Sequence, residues 1–151
     1  MPNGLWYARG PHNGKEAIPA SAFSRGDILM YTSESSLSRY NELGTAANVI
    51  AGVALADSDQ SFNNKVPYLI AEIGTVFWSR ATPASSYTPG EQVDFDVDGA
   101  GRPVVVNSQT TPAFVVEEVT VDIAGQSAQS VILGRFIAGT STSTALLAHN
   151  V

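Results

Sequence analysis

Apolar and polar residues alternate along much of this chain with the period of a β-strand. The longest apolar stretch, Asn48 to Arg80, predicts two core strands joined by a polar turn. Val49, Ala51, Val53 and Leu55 fall on one face of an extended segment, and Ile50, Gly52, Ala54 and Ala56 on the other. One face therefore carries bulk, and the opposite face is small enough for close approach. Beyond the polar turn Asp57, Ser58, Asp59, Gln60 and Ser61, the residues Val66, Tyr68 and Ile70 oppose Leu69, Ala71 and Ile73, and Val76, Phe77 and Trp78 follow. This second strand is apolar on both faces and needs cover on both.

The same signals recur through the rest of the chain. Phe23 to Tyr31 reads as a strand opened by the Gly26-Asp27 turn signal, and Thr32 to Thr45 as either the one helical piece or a serine-rich loop. Val93, Phe95 and Val97 face inward while Asp94, Asp96 and Asp98 face outward; Asp98-Gly99 then turns the chain into a return strand, Val104 to Val106. Ala113 to Val116, Val119 to Ile123 and Ser130 to Gly139 supply the last strands. About eight strands separated by Gly, Pro, Asn and Ser turns predict an all-β fold, a single β-sandwich or jelly-roll-like domain. Residues 1–22 hold Pro2, Pro11, Pro19, Gly4, Gly10 and Gly14 around an isolated Trp6-Tyr7 pair, which predicts an extended N-terminal arm. The expected organisation is an arm over 1–22, the β-sandwich over 23–138 and a C-terminal tail over 139–151.

Composition narrows the function more than it specifies it. Only 15% of the 151 residues are charged, so Ser, Thr, Asn and Gln carry much of the surface, which suits a protein that packs beside others. The net charge is -6, and the six arginines and two lysines are scattered, which argues against a nucleic-acid partner. With no cysteine, disulfides and thiolate chemistry are excluded, and any oligomer is held non-covalently. The N-terminus lacks the pattern of a signal peptide and no apolar run is long enough for a bilayer, so the expectation is a cytoplasmic product without a membrane partner.

Candidate chemistry is sparse. Asp94, Asp96, Asp98 and Gly99 match the first half of a calcium-binding EF-hand loop, but Val105 stands where the bidentate glutamate belongs, so no metal site is expected. Arg25-Gly26-Asp27 spells an integrin-type tripeptide, yet Gly-Asp before an apolar run is an ordinary strand entry. His12 and His149, the two histidines, lie in the expected arm and tail, and the spacing of Asp57, Asp59, Glu72, Glu117 and Glu118 singles out no pair for glycoside cleavage. No phosphate loop or nucleophile elbow is present, and the reading is of a protein that is not an enzyme and holds no cofactor.

The segments GDILMY, AGVALADSD, VPYLIAEIGTVFW, YTPGEQVDFDVDGAGRPVV and VILGRF resemble the decoration, or cement, proteins of tailed-phage capsids. The matching positions are a Gly-Asp strand, then Gly52, Val53, Ala54 and Asp57, then Gly74, Val76 and Phe77, and finally Gly90, Val93, Asp96, Gly99 and Arg102. The resemblance spans roughly residues 23 to 137, and the chain departs from it in its long arm and in its serine-rich insert at 33–45. It implies a β-sandwich that forms a homotrimer, binds the major capsid protein on the outer surface of an icosahedral virion and bridges capsomers. Because the strand from Val66 to Trp78 needs cover on both faces, Val66, Tyr68, Ile70, Phe77 and Trp78 are the expected trimer interface. Trp6, Tyr7 and Arg9 are the expected contacts of the arm with the shell or a neighbouring subunit. Two other readings stay open. One is a carbohydrate-binding sandwich of a tail or adhesin, with Trp78, Tyr87 and the aspartate hairpin as a sugar platform; the other is a joining or fibre-base subunit of the virion.

Overall fold

The structure, a computed structural model, describes residues 4–31, 36–39, 50–60, 63–82, 87–107, 112–121 and 130–137. Among these the protein is all-β, with eleven strands. They are β1 (Leu5–Arg9), β2 (Gly14–Pro19), β3 (Ile28–Tyr31), β4 (Ser36–Arg39), β5 (Ile50–Ala54), β6 (Val66–Ile70), β7 (Val76–Ala81), β8 (Gln92–Val97), β9 (Pro103–Val106), β10 (Phe114–Val121) and β11 (Ser130–Phe136). Strands β2 to β6 close into a small barrel in the order β2-β4-β3-β5-β6. The others form a six-stranded sheet, β1-β7-β11-β10-β8-β9, in which β9 also returns to pair with β7 at Ala81 and Val105. Five strands of this sheet thus make a second ring, and β1 is added along β7.

Two apolar clusters explain why β5 and β6 carry no charged residue. Leu29, Leu37, Ala51, Ala54, Val66, Tyr68 and Ile70 fill the interior of the small barrel. Ile28, Met30, Ile50, Val53 and Leu69, on the outer side of the same strands, pack against Phe77, Val93, Phe95, Phe114, Ile132 and Phe136 of the large sheet. Strands β3, β5 and β6 are therefore covered on both faces within one chain, which is the condition that makes a strand continuously apolar. The large sheet contributes aromatic weight: Phe114 meets Phe95 and Phe136 edge-on at centroid distances of 5.1 and 5.4 Å.

This arrangement corrects several expectations. Val66, Tyr68, Ile70 and Phe77 are 1%, 3%, 5% and 0% exposed, so the protomer itself supplies the cover that a trimer interface was expected to give, and Trp78 is half-buried. The arm over 1–22 contains two strands of the fold: β1 pairs with β7, and β2 pairs with β6 and β4. Residues 36–39 are strand and not helix, because Leu37 is buried in the small barrel while β4 bridges β2 and β3. The expected strand 66–78 is two strands, split at Glu72–Thr75, where Gly74 takes φ +96° and Thr75 N–H donates to Glu72 O at 3.2 Å. The strict alternation read over 49–56 also breaks. Leu29 pairs with Gly52 and Met30 with Ile50, so Ala51 is bulged and Ile50 shares a cluster with Val53.

A pH dependence follows from the barrel interior. Burial, and then the neighbouring Tyr68, push the Tyr31 phenol well above its ordinary value of 10, and burial raises Tyr68 as well. Above pH 10 the unfolded chain releases these protons while the folded chain keeps them, so stability is intact below that pH and falls as pH rises past it. Urea midpoints measured from about pH 9 to about pH 11 should show this decline, and Tyr31→Phe should make it shallower. An identical slope in the variant would mean that Tyr31 ionises as it does in the unfolded chain.

Candidate functional site

The residues expected to make contacts sit on β1, and their surroundings are set by how that strand joins the large sheet. Trp6 pairs across the ladder with Trp78 and Tyr7 with Phe77, after which the register shifts, so that Arg9 rather than Ala8 faces Val76. Such a bulge re-aims the side chains beyond it. Tyr7 is 40% exposed, donates its hydroxyl to Gly10 O at 2.7 Å and meets the His12 ring edge-on at 4.6 Å. The Arg25 guanidinium lies 5.1 Å from the centroid of the Trp6 ring. Arg9 instead pairs with Glu117 at 3.1 Å, and Arg135 takes the other carboxylate oxygen of Glu117. Trp6 and Tyr7 thus share one cleft with His12 and Arg25, while Arg9 belongs to a surface ion cluster with β10 and β11.

A second constellation was invisible in the sequence. Asp27, fully buried just before β3, accepts from Arg39 Nε and Nη2 at 2.9 and 2.8 Å and from Arg102 Nε at 2.7 Å. The Ser24 N–H adds a fourth bond at 2.7 Å, and Arg102 Nη2 donates to Arg25 O. Arg39 closes β4, and Arg102 stands in the β8–β9 turn directly before β9, so the carboxylate ties the small barrel to the large sheet. Gly26, at φ +88°, leaves room for the Arg102 guanidinium: a Cβ there would lie 3.0 Å from Arg102 Nη2. With both oxygens of Asp27 committed to arginines, Arg25-Gly26-Asp27 has no carboxylate to offer a receptor.

The aspartate hairpin does structural work. Asp98 Oδ1 accepts from the N–H groups of Ala100 and Arg102, both at 2.9 Å, and so shapes the turn that presents Arg102. Asp94, expected on the solvent face, is fully buried on the inner strand β8, and its Oδ1 accepts from Phe95 N–H at 2.8 Å. Among the described residues no three His, Asp or Glu side chains converge on a point that could hold a metal ion. Tyr87 packs against the main core, with its hydroxyl 2.8 Å from Thr82 Oγ1, and is not displayed as a sugar platform. His149 and the tail lie outside the described residues. No protein-family model matches the chain, and no curated protein matches it.

Proposed function

We propose that this chain is a decoration protein, a homotrimer that binds the major capsid protein on the outer surface of a tailed-phage head and bridges capsomers. What supports the reading is that the segments carrying the resemblance meet in space. Gly26 and Asp27 from the Gly-Asp strand reach Arg102 of the later hairpin, 75 residues away in sequence. Gly52 lies against Leu69 of the next core strand. Turn signals scattered by chance over more than a hundred residues have no reason to share one ion cluster and one strand crossing. In this reading the small barrel and the large sheet act as the two layers of a sandwich-type unit.

With the apolar strands occupied internally, trimer and shell contacts fall to groups left outside, such as Tyr7, Ile18 and Ile73, which are 40%, 42% and 60% exposed. Trp6, Tyr7 and Arg9 keep their proposed place at the shell or a neighbouring subunit, now as part of a fixed strand and not a free arm. Rigidity helps here, because ordering a flexible arm would subtract from each contact. Three such faces on one trimer convert weak individual contacts into tight overall attachment through an effective concentration on the order of millimolar. The test is light scattering followed by co-sedimentation with undecorated heads. A mass three times the 15.9 kDa of one chain, in a species that pellets with heads, is the expected result. A monomer left in the supernatant overturns the proposal.

A further inference from the structure

Two Asn-Gly dipeptides stand in the sequence, Asn3-Gly4 and Asn13-Gly14. Asparagine is a labile residue, most of all before glycine, where no side chain shields the following main-chain nitrogen from the asparagine Cγ. The fold treats the two glycine nitrogens differently. Gly4 is buried, and its N–H donates to Pro103 O at 3.1 Å. Gly14 is exposed and opens β2 opposite Leu69. Ile70 N–H donates to Asn13 O at 2.9 Å, and Pro67, opposite Glu16, has no N–H to give. The ladder bonds from β2 to β6 therefore run through Lys15 and Ala17, and the Gly14 N–H points the other way. Strand β4 meets β2 at Ile18 and Pro19, beyond its reach, so among the described residues nothing accepts from Gly14.

We propose that Asn13 is a site of spontaneous modification, deamidating in the folded chain while Asn3 is held back. The Gly14 nitrogen attacks Asn13 Cγ; the N–Cγ bond forms, the Cγ–Nδ2 bond breaks, and ammonia leaves with the Gly14 proton. Water then opens the resulting succinimide, on one side to aspartate and on the other to isoaspartate, and either product adds a negative charge. That charge falls against Glu72. Asn13 Nδ2 donates to Glu72 Oε1 at 3.0 Å and to Oε2 at 2.8 Å, which ties the β1–β2 turn to the turn after β6. A carboxylate in its place has no proton to donate and faces a like charge, so the tie becomes a repulsion. The site is independent of capsid attachment, which is tested by mass and co-sedimentation.

The experiment incubates the purified full chain at neutral pH and follows it by trypsin digestion and mass spectrometry. Cleavage after Arg9 and Lys15 puts Asn3 in the peptide Met1 to Arg9 and Asn13 in the peptide Gly10 to Lys15, so each site reports separately. Each event adds about 1 Da. The Asn13 peptide should gain it roughly fivefold faster than the Asn3 peptide, the factor that one net hydrogen bond gives. In urea the two rates should converge. Gly14→Ala should leave the Asn13 peptide mostly unmodified over the same period. A Cβ at residue 14 would meet Tyr68 O at an ordinary 3.6 Å, so the variant should fold. In Asn13→Asp the Ile70 amide should exchange with solvent faster than in the natural chain, and adding Glu72→Gln should remove most of that difference. No gain at Asn13, equal rates at the two sites in the folded chain, an undiminished rate in Gly14→Ala, or an Ile70 amide indifferent to Asn13→Asp overturns the proposal.

Discussion

Asp27→Ala is expected to lower the free energy of unfolding by about 3 to 5 kcal/mol, the range for removing one partner of a buried ion pair. The carboxylate is wholly inside, whereas the Arg39 and Arg102 side chains keep 26% and 22% of their surface in water. Those guanidiniums can recover part of their hydration, which places the loss toward the lower end of the range. The Ser24 N–H loses its acceptor at the same time and adds the cost of an unsatisfied donor. The cluster joins three separate elements, so its loss should loosen the contact between barrel and sheet and not merely a loop. Arg39→Leu should cost less than Asp27→Ala, because Asp27 would still hold Arg102. Urea unfolding at neutral pH is the measurement. A change in midpoint below what about 1 kcal/mol produces would show that the three charges behave as a surface network.

That cluster marks the limit of what could be read from the sequence. The all-β class was legible because turn residues punctuate apolar runs of strand length, and the central run was correctly seen as core. Its meaning was not legible: a strand apolar on both faces looks the same whether a second sheet or a second subunit covers it. Strands held mainly by main-chain pairing left still less trace. In β2 only Ala17 is buried, and in β4 only Leu37, so neither shows an alternation to find. Trp6 stands out in the sequence as an aromatic expected at a contact, but nothing local says that its partner is Trp78. Asp94 misled because alternation assigns polar residues to water, while β8 lies between β9 and β10 and buries this one. Of the candidate site, Trp6 and Tyr7 could be named from their chemistry alone. Arg25 and His12 joined them only through the path of the chain, since Arg25 precedes β3 and His12 sits in the β1–β2 turn.

Gly52→Ala is expected to be nearly as damaging as the loss of Asp27, for a purely steric reason. A Cβ on residue 52 would lie 1.9 Å from Leu69 O, 2.9 Å from Leu69 C and 3.0 Å from Tyr68 Cδ2. The two shortest contacts are with the main chain of β6, which cannot swing aside as a side-chain tip can. Relief requires β5 to separate from β6, and that disturbs the pairs Gly52 with Ile70 and Val53 with Leu69. Both cores feel the separation, since Val53 and Leu69 belong to one cluster and Tyr68 and Ile70 to the other. Overpacking of a tight interior costs about 1 to 3 kcal/mol, and a clash with main chain belongs at or beyond the top of that range. Gly99→Ala provides the matched control: nothing lies within 4 Å of a Cβ there, and a shift within about 0.5 kcal/mol is expected. If urea unfolding gave the two alanine variants the same stability, β5 and β6 could not cross as closely as described. The doubly covered strand pair at the centre of the fold would then need a different packing.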